Sequence, residues 1–116
     1  MSREKGDELE DFIAAKLERI YKYSRPTLAS GATPIEKGDI KNPYFCIESK
    51  NHNTASISIK NDVWEKLVYE ANSESKDAVY VTKNSKGHIL ASMSFEDWIN
   101  IVIELIELRD NAKERR

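Results

Sequence analysis

The chain has few of the residues that cross-link a protein or anchor it in a membrane. Its 116 residues include one cysteine, Cys46, which excludes an internal disulfide framework and leaves too few ligands for a structural zinc site. It has no apolar run of the roughly 18 residues that a membrane-spanning helix needs. The opening residues, MSREKGDELE, lack the apolar core of a signal peptide, so we expect an intracellular, cytoplasmic protein with no membrane partner.

A strong overall charge is also missing. Charged residues make up 33% of the chain, yet the formal net charge is -2, so the overall field does not predict nucleic-acid binding. An anionic partner would have to meet a local basic patch. The hydrophobic content of 40% is enough for one modest core, and we expect a single domain over residues 1–116, with flexible ends at 1–6 and 110–116.

Three segments space their apolar residues three and four apart, as one face of a helix requires. The first is DELEDFIAAKLERIYKYS, in which Asp7 and Glu10 fit a capping box. The second covers about 62–71, and the third starts at Ser94. The predicted core stripes are Leu9, Phe12, Ile13, Leu17 and Ile20; Trp64, Leu67, Val68 and Ala71; and Phe95, Trp98, Ile99, Val102, Leu105 and Ile106.

The third helix has more apolar residues than one stripe needs. Ile101, Ile103 and Leu108 lie outside its stripe, so the helix is apolar over more than one side. This surplus predicts either burial between layers or a subunit interface, and we favour the interface of a homodimer.

Extended segments lie between these helices. A piece ending at Asp39–Ile40, a turn at 41–43 and a strand at 44–50 together predict a β-hairpin. Residues 54–59 alternate apolar and polar side chains as a half-buried strand does, and 78–81 and 88–93 form two strands joined by a loop ending at Gly87. The order αβββαββα indicates an α/β fold, with a central mixed sheet of about five strands flanked by helices.

The hairpin segment GDIKNPYFCIESK combines two acids and a lysine. Side chains alternate along a strand, so Glu48 and Lys50 share a face with Cys46, which we expect to be a small buried neighbour. In a tight hairpin, Asp39 converges on the same site. Paired carboxylates and carbonyls are ligands that Mg²⁺ prefers, and a lysine can activate a metal-bound water. The residues alone predict either a phosphodiesterase site or a solvated strand face.

The triplet E-x-K is weak evidence by itself. A chain this rich in Glu and Lys contains it roughly once by chance. A second copy, Glu74-Ser75-Lys76, follows the second helix, where we expect a surface loop. Only Glu48 and Lys50 lie in a strand behind an upstream acid and a hairpin turn.

With Gly38-Asp39 eight residues before Glu48-Ser49-Lys50, the chain resembles the PD-(D/E)XK nuclease superfamily. It is most similar in motif order to archaeal-type Holliday-junction resolvases and their small phage relatives. A phage is therefore one expected source of the protein. Gly38 replaces the proline of the family name, and the acidic overall charge departs from the family's usual basic character. The matching motifs, which span about residues 6–83, are Gly6 to Glu10, Ser30-Gly31, Glu48 to Lys50, Leu67-Val68 and AVYVTK.

The resemblance implies the restriction-endonuclease-like fold and a Mg²⁺-dependent endonuclease, with Mn²⁺ as a substitute. Asp39 and Glu48 would bind the metal, the carbonyl of Ser49 would add a ligand, and Lys50 would act on the water. Glu10 would supply a further acid from the first helix, with Glu8 as the alternative.

The same resemblance implies a branched DNA substrate, the four-way junction. Ser30 would touch DNA or the hydration shell of the metal. The candidate phosphate contacts are Lys22, Arg25, Lys37 and Lys60. A solvated helix face is the alternative for the basic residues of the first segment, and it fits Lys16 and Arg19 better than Lys22 and Arg25. Two alternatives stay open, namely cleavage of nicked, flapped or duplex DNA, and a catalytically silent interaction module of the same fold.

Overall fold

A computed structural model describes residues 5–18, 25–26 and 40–114. Within these ranges the chain forms three helices and five strands, and two of the strands have only two residues each. In chain order the elements are α1 (Lys5–Glu18), β1 (Arg25–Pro26), β2 (Ile40–Lys41), β3 (Phe45–Asn51), α2 (Asn61–Ser73), β4 (Asp77–Lys83), β5 (Ile89–Ser92) and α3 (Phe95–Glu114).

One mixed sheet lies at the centre of the fold. Its three longer strands are β3, β4 and β5, with β3 parallel to β4 and β4 antiparallel to β5. The short strands β2 and β1 extend the sheet beyond β3 in antiparallel pairs. Parallel neighbours need a long crossover, and α2 supplies it between β3 and β4. The predicted mixed α/β class is confirmed.

Each face of the sheet buries an apolar cluster under one helix. Adjacent residues Cys46 and Ile47 of β3 belong to different clusters, so the alternation predicted for this strand is confirmed. The cluster on what we call the α1 face contains Leu9, Ile13, Ala14, Ile47 and Val81. The cluster on the α2 face contains Cys46, Leu67, Ala71, Ala78 and Tyr80.

Helix α1 forms where the apolar spacing predicts it, but its start differs. It begins at Lys5, so Asp7 lies inside the helix and the predicted capping box is wrong. Leu9 and Ile13 are buried as expected. Phe12 is half exposed, and its ring is covered by the Lys16 ammonium, which lies 5.4 Å from the ring centroid.

The predicted hairpin before β3 is confirmed. Ile40 of β2 lies opposite Ile47 of β3. Buried Asn42 organises the turn, because its side-chain oxygen accepts hydrogen bonds from the backbone N–H groups of Tyr44, at 2.8 Å, and Phe45, at 3.0 Å. This is local turn chemistry, in which an asparagine side chain satisfies backbone donors two and three residues on.

The strand predicted at 54–59 is wrong. The segment is irregular, and the carbonyls of Thr54 and Ala55 accept hydrogen bonds from the β4–β5 turn rather than from a strand partner. The N–H of Ser85 donates to the Thr54 carbonyl at 3.0 Å, and the Asn84 amide donates to the Ala55 carbonyl at 3.1 Å. An alternating pattern is not enough for a strand when no ladder partner is in reach.

The predicted hairpin of β4 and β5 is confirmed, together with its glycine. The Asn84 side-chain oxygen accepts hydrogen bonds from the N–H groups of Lys86 and His88, at 3.0 and 2.9 Å. Gly87 has a φ of 87°, a left-handed conformation that favours glycine over residues with a Cβ.

Helix α3 starts at the predicted place but is not part of the core. The Ser94 hydroxyl caps it by accepting a hydrogen bond from the Asp97 N–H at 3.1 Å. No residue of α3 is buried, so the predicted core role of its stripe is wrong. Its Ile101 and Glu104 border a cavity of about 530 Å³ with Phe45 and Asp77, at the beginning of β3 and β4. Among the helices of the described residues, none has the length and apolarity to cross a membrane.

Replacing the turn residue Asn42 with alanine should destabilise the fold. The change removes the acceptor for two backbone N–H groups beside a buried strand, so we expect Asn42→Ala to lower the free energy of unfolding by about 1–3 kcal/mol in urea titrations. Asn100→Ala, at an exposed position of α3, is the control and should change it by less than about 0.5 kcal/mol. Equal effects of the two substitutions would contradict the role assigned to Asn42.

Removing the charge of Asp77 should stabilise the protein at neutral pH. Burial, and then the nearby carboxylate of Asp97, raise the pKa of Asp77 above its ordinary 3.8. The ionised form is therefore less favourable in the folded than in the unfolded chain, and this penalty is absent below pH 3.8, where both states are protonated. Asp77→Asn should raise the melting temperature at pH 7 and leave it unchanged at pH 3. Asp97→Asn should give a smaller increase, and a lower melting temperature for Asp77→Asn at pH 7 would disprove this account.

Candidate active site

The E-x-K triplet lies in the second half of β3. Glu48 is half-buried opposite Tyr80, and Lys50 is exposed opposite Thr82. Alternation from Cys46 directs Glu48 and Lys50 to the α2 face, as the sequence predicts. An acid and a base therefore share one face in the second half of a strand whose Cys46 and Ile47 are buried.

The surroundings of Cys46 identify the charges near Glu48. Burial is the main cause that raises the pKa of the Cys46 thiol to about 11, followed by the carboxylates of Glu74 and Glu70. Lys76 acts in the opposite direction, and Glu48 adds a smaller increase. Glu48 thus shares its side of the sheet with Glu70 of α2 and with Glu74, which follows that helix. The expectation that Cys46 is a small buried residue is confirmed, and the raised pKa keeps it a protonated thiol at neutral pH.

Several predicted site residues lie outside the described residues, namely Asp39, Ser30, Lys22 and Lys37. The backbone of Arg25 is described in β1, but its side chain is not. Within residues 5–18, 25–26 and 40–114, no group of three or more His, Cys, Asp or Glu side chains is arranged to hold a metal ion.

The acids of α1 belong to the other side of the sheet. Helix α1 packs on the face that carries Ile47, and alternation places Ser49 and Asn51 on that face too. Glu8 and Glu10 therefore project from an element on the α1 face, whereas Glu48 projects from the α2 face. The structure does not bring Glu10 and Glu48 together on one face.

A cleft of about 600 Å³ opens on the α1 side, between helix α1, the carboxyl end of β3 and the β4–β5 turn. Glu8, Asn51, His52 and Lys83 are among its lining residues. The His52 ring nitrogen Nε2 is buried and has no hydrogen-bond partner within the described part of the chain. The signal that could have found the cleft is its place after a parallel strand, because ligands of α/β sheets bind at carboxyl ends.

Lys60 is exposed immediately before α2. Its carbonyl accepts a hydrogen bond from the Trp64 N–H at 3.0 Å, which begins the helix, and no side chain caps this end. A helix N-terminus carries partial positive charge, which together with Lys60 favours an anion. The Asp62 carboxylate of the first turn already accepts a hydrogen bond from the Val63 N–H at 3.0 Å.

The second triplet, Glu74-Ser75-Lys76, forms the turn after α2. Ser75 has a φ of 56°, and the N–H groups of Ser75 and Lys76 donate to the carbonyls of Asn72 and Ala71. These bonds close the helix in a Schellman motif. The Lys76 ammonium lies 3.3 Å from the Glu74 carboxylate. The surface loop predicted for this triplet is confirmed.

No protein-family model, curated protein or solved structure matches the chain.

The thiol of Cys46 should be unreactive in the folded protein. With a pKa of about 11 in place of 9.0, its thiolate fraction at pH 8 is about 100-fold below that of an ordinary thiol, and the side chain is also buried. Iodoacetamide at pH 8 should label the native protein at least about 100-fold more slowly than the protein in denaturant. The pKa of Cys46 is higher in the folded than in the unfolded chain, so the free energy of unfolding should fall as the pH rises from 9.0 towards 11. Equal labelling rates would contradict the packing around Cys46.

Proposed function

We propose that this chain is a Mg²⁺-dependent endonuclease that cleaves phosphodiester bonds at four-way DNA junctions. The observation that carries the proposal is the β2–β3 hairpin, in which Ile40 lies opposite Ile47. Ile40 follows Asp39 in the sequence, and Ile47 precedes Glu48. One further step of the same antiparallel register would set the carboxylates of residues 39 and 48 across from each other.

The proposed chemistry follows from these residue types. Asp39 and Glu48 would hold Mg²⁺ or Mn²⁺, with the backbone carbonyl of Ser49 as an extra ligand. When bound, the metal supplies the charge that acidifies a water molecule and neutralises the scissile phosphate. Lys50 shares the face of Glu48 and would orient this water or help to deprotonate it.

The packing of α1 affects the proposed role of its acids. Because α1 lies on the face opposite Glu48, we assign metal binding to Asp39 and Glu48. The acids of the first helix would then approach the substrate rather than the metal. Glu8 lines the cleft together with Asn51, the residue after Lys50. This position favours Glu8 over Glu10 as the acid that approaches the substrate from α1.

The order of elements supports the restriction-endonuclease-like fold in this proposal. A helix precedes the antiparallel hairpin of β2 and β3, α2 crosses over to the parallel strand β4, and β5 and α3 complete the order αβββαββα. Three strands of four or more residues carry the sheet, and β1 and β2 complete the proposed five.

Phosphate contacts are proposed at the same end of the molecule. The crossover returns α2 along the sheet, so its N-terminus and Lys60 lie towards the carboxyl end of β3, where Lys50 is exposed. The two cations Lys50 and Lys60 favour a phosphate there, despite the overall charge of -2. Ser30, Lys22, Arg25 and Lys37 are proposed as further DNA contacts.

Cleavage of a labelled four-way junction with Mg²⁺ tests the proposal, and the chain supplies its own control. Glu48→Gln and Lys50→Ala should each reduce the cleavage rate by at least about 100-fold, because each removes a group that acts on the metal or the water. The same substitutions in the second triplet, Glu74→Gln and Lys76→Ala, should leave the rate within about threefold of wild type. Circular dichroism would verify that all four variants fold.

The same assay distinguishes junction cleavage from the two alternative functions. Equal rates on the junction and on a linear duplex of matched sequence would exclude junction selectivity and favour a nuclease acting on nicked, flapped or duplex DNA. No cleavage of any DNA with Mg²⁺ or Mn²⁺, or equal losses in the two triplets, would overturn the nuclease and leave the silent interaction module.

A further inference from the structure

Helix α3 carries an apolar stripe that the rest of the described chain does not cover. Its members Phe95, Trp98, Val102 and Leu105 repeat at spacings of three and four, so they lie on one side of the helix. Phe95 is 73% exposed, Trp98 48% and Leu105 44%. The rings of Phe95 and Trp98 contact each other at a centroid distance of 5.6 Å. Ile106, 50% exposed, widens the stripe.

The stripe is not the side by which α3 approaches its own sheet. Asp97 is close enough to Asp77 to raise its pKa, and Ile101 and Glu104 border the cavity at the beginning of β3 and β4. At about 100° per residue, these three positions lie roughly 120° around the helix from the stripe. Within the described residues, α3 therefore turns the side of Asp97, Ile101 and Glu104 towards the sheet, and its apolar stripe is exposed.

We propose that the stripe is the docking site for a second copy of this chain, with the two α3 helices packed antiparallel about a two-fold axis. This inference concerns a surface of the protein and does not rest on the proposed nuclease activity. An isologous contact of this kind closes after two subunits, so the stripe of each copy is fully used by the other.

The area of the stripe is sufficient for such a pair. The exposed fractions of its large side chains Phe95, Trp98, Leu105 and Ile106 correspond to roughly 400 Å² of apolar surface per copy, if a fully exposed large side chain presents about 200 Å². A pair would bury about 800 Å² of apolar surface. Because homodimer interfaces are about 65% apolar, the total would be about 1,200 Å², the lower limit for specific, stable interfaces.

Charge and size favour the antiparallel direction. Arg109 continues the stripe one turn beyond Leu105, so a parallel pair would bring the two arginines and the two sets of aromatic rings against each other. An antiparallel pair with Val102 opposite the partner's Leu105 places Arg109 over the ring of the partner's Trp98, where a cation is attracted. The same register sets Phe95 opposite the small partner residue Ala112. Arg109 also comes near the acidic first turn of the partner's helix, which contains Glu96 and Asp97.

The oligomeric state of the full chain tests the surface. Sedimentation at micromolar concentrations should give a dimer for wild type. Leu105→Glu, which buries a charge in the proposed contact, should weaken dimerisation by at least about 100-fold in the dissociation constant. Asn100→Glu, an exposed position outside the stripe, should leave the dimer intact. Circular dichroism distinguishes lost association from lost folding. A monomeric wild type, or a dimer unaffected by Leu105→Glu, would overturn the proposal.

Disulfide cross-linking tests the direction. Phe95 and Ala112 are 17 positions apart, about 25 Å along a helix, so the two arrangements give opposite results. In the antiparallel pair, Phe95→Cys and Ala112→Cys should cross-link only when the two variants are mixed. Cross-linking of each variant with itself would show a parallel pair and overturn the proposed direction. Native Cys46, which is 2% exposed, should not interfere.

Discussion

The parallel pairing of β3 with β4 is the contact on which the rest of the structure depends. The two strands pair over seven residues each, from Phe45 opposite Asp77 to Asn51 opposite Lys83. Parallel strands cannot be joined by a tight turn, so this pairing requires the α2 crossover. Strands buried on both faces must be covered twice, and α1 and α2 do so with separate apolar clusters. The hairpin of β2 and the turn into β5 are attached to the two outer edges of this pair.

The pairing of β3 with β4 also explains why the candidate functional side chains lie at the carboxyl end of β3. Cys46, Ile47 and Val81 are buried, whereas the chain continues into Lys50, Asn51 and His52, which are exposed or partly exposed. Apolar residues thus fix the strand while its carboxyl end carries the polar groups. Because consecutive side chains point to opposite faces, that end supplies two separate surfaces, with Lys50 on the α2 face and Asn51 in the cleft on the α1 face.

Local patterns in the sequence predict the parts of the fold that are stabilised locally. The helices follow from apolar spacing, and both hairpins follow from turn residues such as Asn42 and Gly87. The 54–59 segment could not be predicted, because its partners Asn84 and Ser85 are about thirty residues away. For the candidate site, the shared face of Glu48 and Lys50 follows from strand alternation. The separation of Glu10 from Glu48 depends on which face α1 covers, and no short motif contains that information.

Helix α3 shows the limit of an apolar pattern. Apolar residues spaced three and four apart indicate that one side of a helix is buried, but they do not indicate whether the chain's own core or another chain covers it. Among the described residues, α1 and α2 already cover the two faces of the sheet without α3. The apolar stripe of α3 is left exposed by these residues. In the proposed pair a second copy would cover the stripe, because Arg109 at one end and the acids at the other are complementary to the same charges in reverse order.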